Sequence, residues 1–282
     1  MSNITADLIK ELREITGVGM SKCKEALVEA NGDLQKAIDY LRKKGMASGA
    51  KKEGRETKEG LIGTGESDQA LALVEANTET DFVAQNDKFK TFLADVANQA
   101  AETKPASLEA FMESPYCNDP SLTVEQYRNL LIQSLGENIQ LKRIEIIEKD
   151  ANASLGIYSH MGGKIITVVE LSGANDAQDV AREIAMHVAA ENPDYLFPED
   201  VPKSVTDREA EIAKSQLKGK PENMIDKILV GKLRAFCDQV CLSCQKFIKD
   251  SSITVGQHVE QCAKDSGKEL KLRRFWRWRV GQ

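Results

Sequence analysis

The sequence predicts an α+β fold. A three-helix N-terminal module precedes two repeated α+β core subdomains with antiparallel sheets, and the second copy carries an inserted helical hairpin, a short coiled coil. Three observations predict this. Apolar residues recur at helical spacing through residues 1–44. A succession of strand, turn, strand, helix and returning strand occurs twice further on. Within the second copy, residues 204–232 read as two antiparallel helices joined by a turn.

Taken in order, Ile4, Leu8, Leu12 and Ile15 share a helical face, with Thr5 placed to cap it. Gly17 and Gly19 interrupt the pattern. A second helix from Met20 places Cys23, Leu27 and Ala30 on one side, Asn31-Gly32 stops it, and Asp33 caps a third carrying Leu34, Ile38 and Leu41. Residues 45–59 combine small residues with mixed charges and read as a linker between the module and the core.

The first core copy, 60–149, begins with Leu61-Ile62, a turn over Gly63 to Asp68 and the apolar run Ala70 to Val74. A polar segment Glu75 to Thr80, a helix from Asp87 to Ala101, a short helix from Thr123 to Leu135 and a strand from Ile139 to Ile147 follow. In the second copy, 150–282, the same roles fall to Leu155–His160, the Gly162-Gly163 turn, Ile165–Val169, a helix from Ala177 to Ala190 and the strand Leu270–Val280. The inserted hairpin opens on Ser204-Val205-Thr206-Asp207, read as a capping box, and runs out along Val205, Glu209, Ile212 and Gln216. It turns at Gly219-Lys220-Pro221 and returns along the clearer stripe Ile225, Leu229, Leu233, Phe236 and Val240.

Composition narrows the function classes. With 38 basic and 44 acidic residues the net charge is -6, which disfavours non-specific nucleic-acid binding because phosphate repels an acidic chain. No basic region precedes an apolar stretch at the N-terminus, and the longest apolar runs are strand-length, so neither a targeting segment nor a membrane span is expected. Six cysteines in 282 residues do not make a disulfide scaffold and point to reduced thiols in the cytoplasm.

Three motifs invite chemistry and each has a plainer reading. Cys237, Cys241 and Cys244, followed by His258 and Cys262, resemble zinc spacing. Their i, i+4, i+7 positions instead suggest one buried helical face, and no metal or cofactor is expected. Lys271, Arg273, Arg274, Arg277 and Arg279 interleave with Phe275, Trp276 and Trp278, a nucleic-acid footprint. Strand parity favours a half-buried strand with a solvated basic face, one able to meet an acidic protein. His160, His187 and His258 stand without a nucleophile elbow, phosphate loop or dinucleotide fingerprint. His187 is expected to be hydrogen-bonded and partly buried, and His160 exposed. The chain is therefore read as a protein that binds another protein, with no catalytic residues and no small-molecule substrate.

One segment stands out: Asn77-Thr78-Glu79-Thr80-Asp81-Phe82-Val83-Ala84, where polar residues leave a buried strand and an aromatic precedes a helix. On sequence physics alone, Phe82 reads as a hydrophobic staple packing back onto that helix. Thr80-Asp81-Phe82-Val83 also matches the signature of the elongation factor Ts family. So do Leu12-Arg13 with Thr16 to Met20, Cys23-Lys24 with Ala26-Leu27, Asn31-Gly32-Asp33, Gly136-Glu137-Asn138-Ile139, Ile184 to His187 and Asn192-Pro193. The resemblance spans nearly the whole chain in order.

What the resemblance implies is specific. The N-terminal module resembles a ubiquitin-associated-type fold, and the inserted hairpin resembles the family's protruding coiled coil. Family members bind the GTPase elongation factor Tu and speed release of GDP without a covalent step. Carried over, Asp81 and Phe82, flanked by Thr80 and Val83, would approach the GTPase near its magnesium site. Leu135, Gly136 and His160 would join that surface, Lys24 would touch the GTPase domain, and Ile248 and Lys249 would meet the partner away from the nucleotide. Leu135 stands where some relatives carry Ile, and Cys244 and Lys246 stand where an acidic residue or Pro is expected. The sequence stops at Gln282 where some relatives continue into a further helix. A ubiquitin-associated-type adaptor or scaffold without exchange activity and a metal- or nucleic-acid-binding protein are the competing readings.

Overall fold

Thr5 caps helix α1 (Ala6–Thr16) by accepting from the Leu8 amide at 3.2 Å, and Gly17, left-handed at φ 64°, ends it. Helices α2 (Met20–Glu29) and α3 (Leu34–Lys52) follow, with Asp33 capping the second of these. Leu12, Val18, Cys23, Leu27, Ala37 and Leu41 close a small core of their own. The computed structural model describes residues 4–217 and 222–282. The Gly219-Lys220-Pro221 turn of the sequence reading lies outside them.

Two units organise the chain, residues 1–148 with 279–282, and residues 149–278. In the first, β1 (Glu59–Glu66) and β2 (Ala70–Thr78) lead through a single helical turn, α4 (Asp81–Ala84), into α5 (Asp87–Thr103) and α6 (Leu108–Glu113). A small hairpin, β3 (Pro115–Tyr116) and β4 (Asp119–Thr123), precedes α7 (Val124–Leu135) and β5 (Ile139–Glu148). The sheet is antiparallel in the order β1-β2-β5, and every residue of the central β2 is buried. Burial on both faces makes β2 read as a continuous apolar run. It extends past Val74 because its polar end is satisfied: Glu75 accepts from Arg143 Nε at 2.8 Å, and Asn77 Nδ2 donates to the Thr57 carbonyl at 3.2 Å. Phe89, Phe92 and Val96 of α5 pack with Leu131, Ile132 and Phe111 against that sheet.

The linker expected at 45–59 is only partly a linker. Residues 45–52 are the last turns of α3, and Gly45 and Gly49 are buried. A Cβ at Gly49 would stand 2.0 Å from Asn129 Oδ1 of α7, and one at Gly45 3.1 Å from Leu130 Cδ2. The small residues that read as loose chain serve close helix packing instead. Lys22 Nζ donates to the Gln133 carbonyl at 2.8 Å, Lys88 Nζ to the Gly17 carbonyl at 2.7 Å, and Arg42 Nη2 to Ser121 Oγ at 3.0 Å. The module is thus docked on its unit through a continuous helix.

In the second unit, β6 (Ala153–His160) and β7 (Ile165–Ser172) lead into α8 (Gln178–Glu191), and the hairpin α9 (Lys203–Ser215) and α10 (Glu222–Val240) follows. Then come β8 (Lys246–Phe247), β9 (Asp250–Thr254), α11 (Val255–Ser266) and β10 (Lys271–Arg279), the sheet order being β10-β7-β6. The fold is α+β, as the sequence predicts. The internal repeat is closer than the expected one, because Tyr116 to Ile147 and Phe247 to Trp278 align without a gap. Thr123 with Gln126 and Thr254 with Gln257 form matching capping boxes on α7 and α11. Glu75 and Glu170 are the matching buried carboxylates, the second held by Arg273 at 3.0 Å and Arg274 at 2.7 Å.

Three further readings change. Helix α9 starts at Lys203 behind Pro202 and not from a Ser204 box; its buried position is Ala213, Leu217 is buried just past its end, and Ile212 is exposed. Helix α10 ends at Val240, so Cys237 is helical while Cys241 and Cys244 lie beyond its end. Cys241 is buried, which, with the neighbouring Cys237 and Cys244, pushes its thiol up to about 12. Strand β10 does not keep one parity: Leu270, Leu272 and Phe275 join the second core, and the basic face is engaged, Arg273 and Arg274 both reaching Glu170.

Candidate functional site

Thr80 begins the site. Its backbone is extended at φ -126°, ψ 158°, and its side chain accepts from the Val83 amide, starting α4 directly after β2. A turn this tight throws the next two side chains outward. Asp81 and Phe82 are both exposed, Phe82 at 83%. The staple alternative is therefore not what this chain adopts. Val83 departs from its expected place on that surface: its side chain is 9% exposed, so it anchors the turn from inside.

The turn is braced from the opposite chain segment. Helix α7 closes at Gly136, left-handed at φ 87°, a conformation that favours glycine and that brings the chain round sharply. Glu137 then accepts from the Thr80 amide at 3.0 Å and from Thr80 Oγ1 at 2.7 Å. Glu79 answers in the other direction, accepting from the Asn138 amide at 2.6 Å and from Arg55 Nη1 at 3.3 Å. Each segment lends a carboxylate to the other's backbone amide, forming a reciprocal clasp of charge-assisted bonds. Asn138 is buried and donates to the Glu53 and Arg55 carbonyls at 3.3 and 3.0 Å, tying the end of the α3 connection into the same clasp. Leu135, half-buried, packs against the first core from the end of α7. The clasp thus brings Thr80, Asp81, Phe82, Leu135 and Gly136 together.

The matching family model is described as elongation factor TS and covers residues 79–282, beginning at this turn. Elongation factor Ts of Protochlamydia amoebophila is 55% identical over 282 residues, the full length of both chains. Those of Chlamydia muridarum and Chlamydia caviae are each 43% identical over 281 residues, again the full length of both. The chain belongs to the elongation factor Ts family.

The remaining residues expected from the elongation factor Ts resemblance stand on other elements. Lys24 is exposed on α2, beside exposed Val28 one turn on and Met20 one turn back. His160 closes β6 in the second unit, exposed, with its Nδ1 3.4 Å from Tyr158 Oη. Ile248, 38% exposed, and Lys249 form the tip between β8 and β9, where Lys249 Nζ lies 2.9 Å from Glu183. His187 is fully buried: its Nδ1 accepts from the Ile248 amide at 3.3 Å, leaving Nε2 to donate to Gln245 Oε1 at 3.0 Å. Burial lowers its pKa, against the smaller opposing effects of Gln245 and Glu191.

Glu137, Asn138 and Glu79 belong to this clasp although the sequence expectations leave them out of the site. A signal existed, since a carboxylate directly after a helix-ending glycine is set to reach a neighbouring backbone. Among the described residues no group of His, Cys, Asp and Glu is arranged to hold a metal ion, and no helix is long and apolar enough to cross a membrane.

Proposed function

We propose that the chain is a guanine-nucleotide exchange factor that binds elongation factor Tu in its GDP-bound form and speeds GDP release during translation elongation in the cytoplasm. The observation that carries this is the exposure of Phe82 on a clasped turn. A phenylalanine left 83% in water on a turn whose start, Thr80, is held by Glu137 and whose next residue, Val83, is buried is preorganised for a partner. Thr80 positions Asp81 and Phe82 to meet the GTPase where magnesium and the phosphates sit. Leu135, Gly136 and His160 extend that contact. Lys24, Ile248 and Lys249 meet other parts of the partner.

The mechanism is one of differential affinity. A factor that binds the nucleotide-loosened form better than the closed form shifts the partner toward release, and by linkage nucleotide weakens the factor equally. Magnesium tolerates little departure from octahedral geometry, so a small displacement of its supporting groups weakens the nucleotide. Burying one phenylalanine stabilises the loosened form by about 1.5–3 kcal/mol, roughly 10- to 150-fold. No covalent step is needed, and no residue of this chain is assigned one.

The test is release of fluorescently labelled GDP from elongation factor Tu with the wild-type chain, Phe82→Ala and Asp81→Ala. Release accelerated by the wild type and slowed about 10-fold or more by Phe82→Ala is the expected result. Wild-type acceleration by Phe82→Ala at every concentration would overturn the reading.

A further inference from the structure

The two copies of the core solve the same junction with opposite charges. In the first, Glu137 follows the helix-ending Gly136 and accepts twice from Thr80. In the second, Gly267 ends α11, Lys268 occupies the place of Glu137, and its Nζ lies 2.6 Å from Asp176. Glu75 aligns with Glu170 in the central strands, and the same alignment carried forward sets Thr80 against Asn175, Asp81 against Asp176 and Phe82 against Ala177. The aspartate of the second copy is therefore held by a lysine, and the residue after it is 7% exposed. In the first copy the aspartate is exposed with no ion pair among the described residues, and the residue after it is the exposed Phe82.

From this pairing we infer that Glu137 is the positioning residue of the exchange turn, a role that rests on the function proposed above. Its carboxylate acts in two ways. By accepting from the Thr80 amide and hydroxyl it fixes the residue that starts α4, so the outward direction of Phe82 is set before a partner arrives. By being negative it cannot capture Asp81, whereas a lysine at this place captures the aspartate in the second copy. Glu137 would touch neither magnesium nor nucleotide. It acts through Thr80, and Glu79 on Asn138 holds the same two segments from the other side. The sign of charge at this one position thus separates a turn whose aspartate makes no ion pair among the described residues and precedes an exposed aromatic from one whose exposed aspartate is held by a lysine and precedes a buried alanine.

The experiment measures GDP release from elongation factor Tu with full-length Glu137→Ala, Glu137→Gln, Glu137→Lys, Phe82→Ala and the double variant Glu137→Ala/Phe82→Ala, alongside thermal melts of each. Loss of two hydrogen bonds to a carboxylate should slow release roughly 10-fold in Glu137→Ala. Glu137→Gln, which keeps the shape and an accepting oxygen, should recover most of that. Glu137→Lys should be the slowest of the three while melting near the wild type. In the Phe82→Ala background Glu137→Ala should cost less than about twofold, because a residue acting through Phe82 has nothing left to act on. Full additivity in the double variant, or wild-type release by both Glu137→Ala and Glu137→Lys while Phe82→Ala is slow, would overturn the role of Glu137 and leave the proposed function standing. Wild-type release by Phe82→Ala itself would overturn the proposed function, and this inference with it. Should Glu137→Ala unfold, the Gln and Lys pair decides: equal rates for the two overturn the inference.

Discussion

His187 does in the second copy what Gln99 does in the first. Gln99 Oε1 accepts from the Cys117 amide at 2.8 Å, and His187 Nδ1 accepts from the Ile248 amide at 3.3 Å. Each is a buried helix residue that fixes the tip of a small hairpin, and Tyr116 and Phe247 are the aligned aromatics beside those amides. The substitution of one group for the other puts a titratable side chain at this helix position in the second copy only.

Because burial depresses the His187 pKa, the folded chain disfavours the imidazolium that the unfolded chain accepts. Sign follows from linkage: stability is complete above the unfolded value of about 6.5 and is lost as pH falls from there through the folded value. Thermal melts between pH 7.5 and 5 should show this loss, and His187→Gln, which installs the first copy's solution, should flatten that part of the profile. An unchanged slope in His187→Gln would show that other groups carry it.

Gly49 tests whether α3 packs or merely links. In an exposed helix, replacing glycine by alanine stabilises by about 1 kcal/mol. Here the added Cβ would stand 2.0 Å from Asn129 Oδ1, so Gly49→Ala should destabilise by about 1–3 kcal/mol in chemical denaturation. The sign alone decides. By the same contacts, deleting residues 1–44 should lower the melting temperature of what remains, since it strips part of a helix that covers α7. A separately folding remainder with unchanged stability would restore the linker reading.

These residues show where sequence stops being legible. Helices with a strong apolar period, such as α5 and α8, were readable to within two residues of their ends because each buries one face. The segment at Gly45 and Gly49 was not, since small residues mark both loose chain and tight packing, and only the partner helix distinguishes them. Hairpins of two and five residues per strand, β3–β4 and β8–β9, are too short to carry a period, and α11 buries little beyond Val255 and Val259. In the site, Thr80, Asp81 and Phe82 were legible through a motif. The clasp was not, because its two halves stand far apart in the chain: Glu137 meets Thr80, and Glu79 meets Asn138.

The buried Glu170 places a limit on the second sheet. Arg273 and Arg274 both hold it, and their own side chains are about half exposed, at 43% and 50%. Removing both arginines leaves a charge stranded inside, so Arg273→Ala/Arg274→Ala should lower the denaturant midpoint at pH 7. Glu170→Gln should cost less, because the arginines can return to water. The reverse order of the two variants would mean that packing, and not charge compensation, dominates there.

The neighbours Phe82 and Val83 offer the sharpest separation of stability from function. Both are apolar and sit in one helical turn, yet one is 83% exposed and the other 9%. Phe82→Ala removes surface that the free fold does not use, so its melting should change by no more than about 0.5 kcal/mol. Val83→Ala removes buried methyl groups and leaves a small void, costing about 1.5–3 kcal/mol of folding stability. In GDP release the order should invert: Phe82→Ala slow at any temperature, Val83→Ala near wild type at temperatures where it is folded. The two variants are neighbours in one turn and each removes only apolar atoms, so general disturbance of the turn predicts slower release for both. A slow Val83→Ala with a normal melt would place Val83 in the partner contact and require the turn to open on binding.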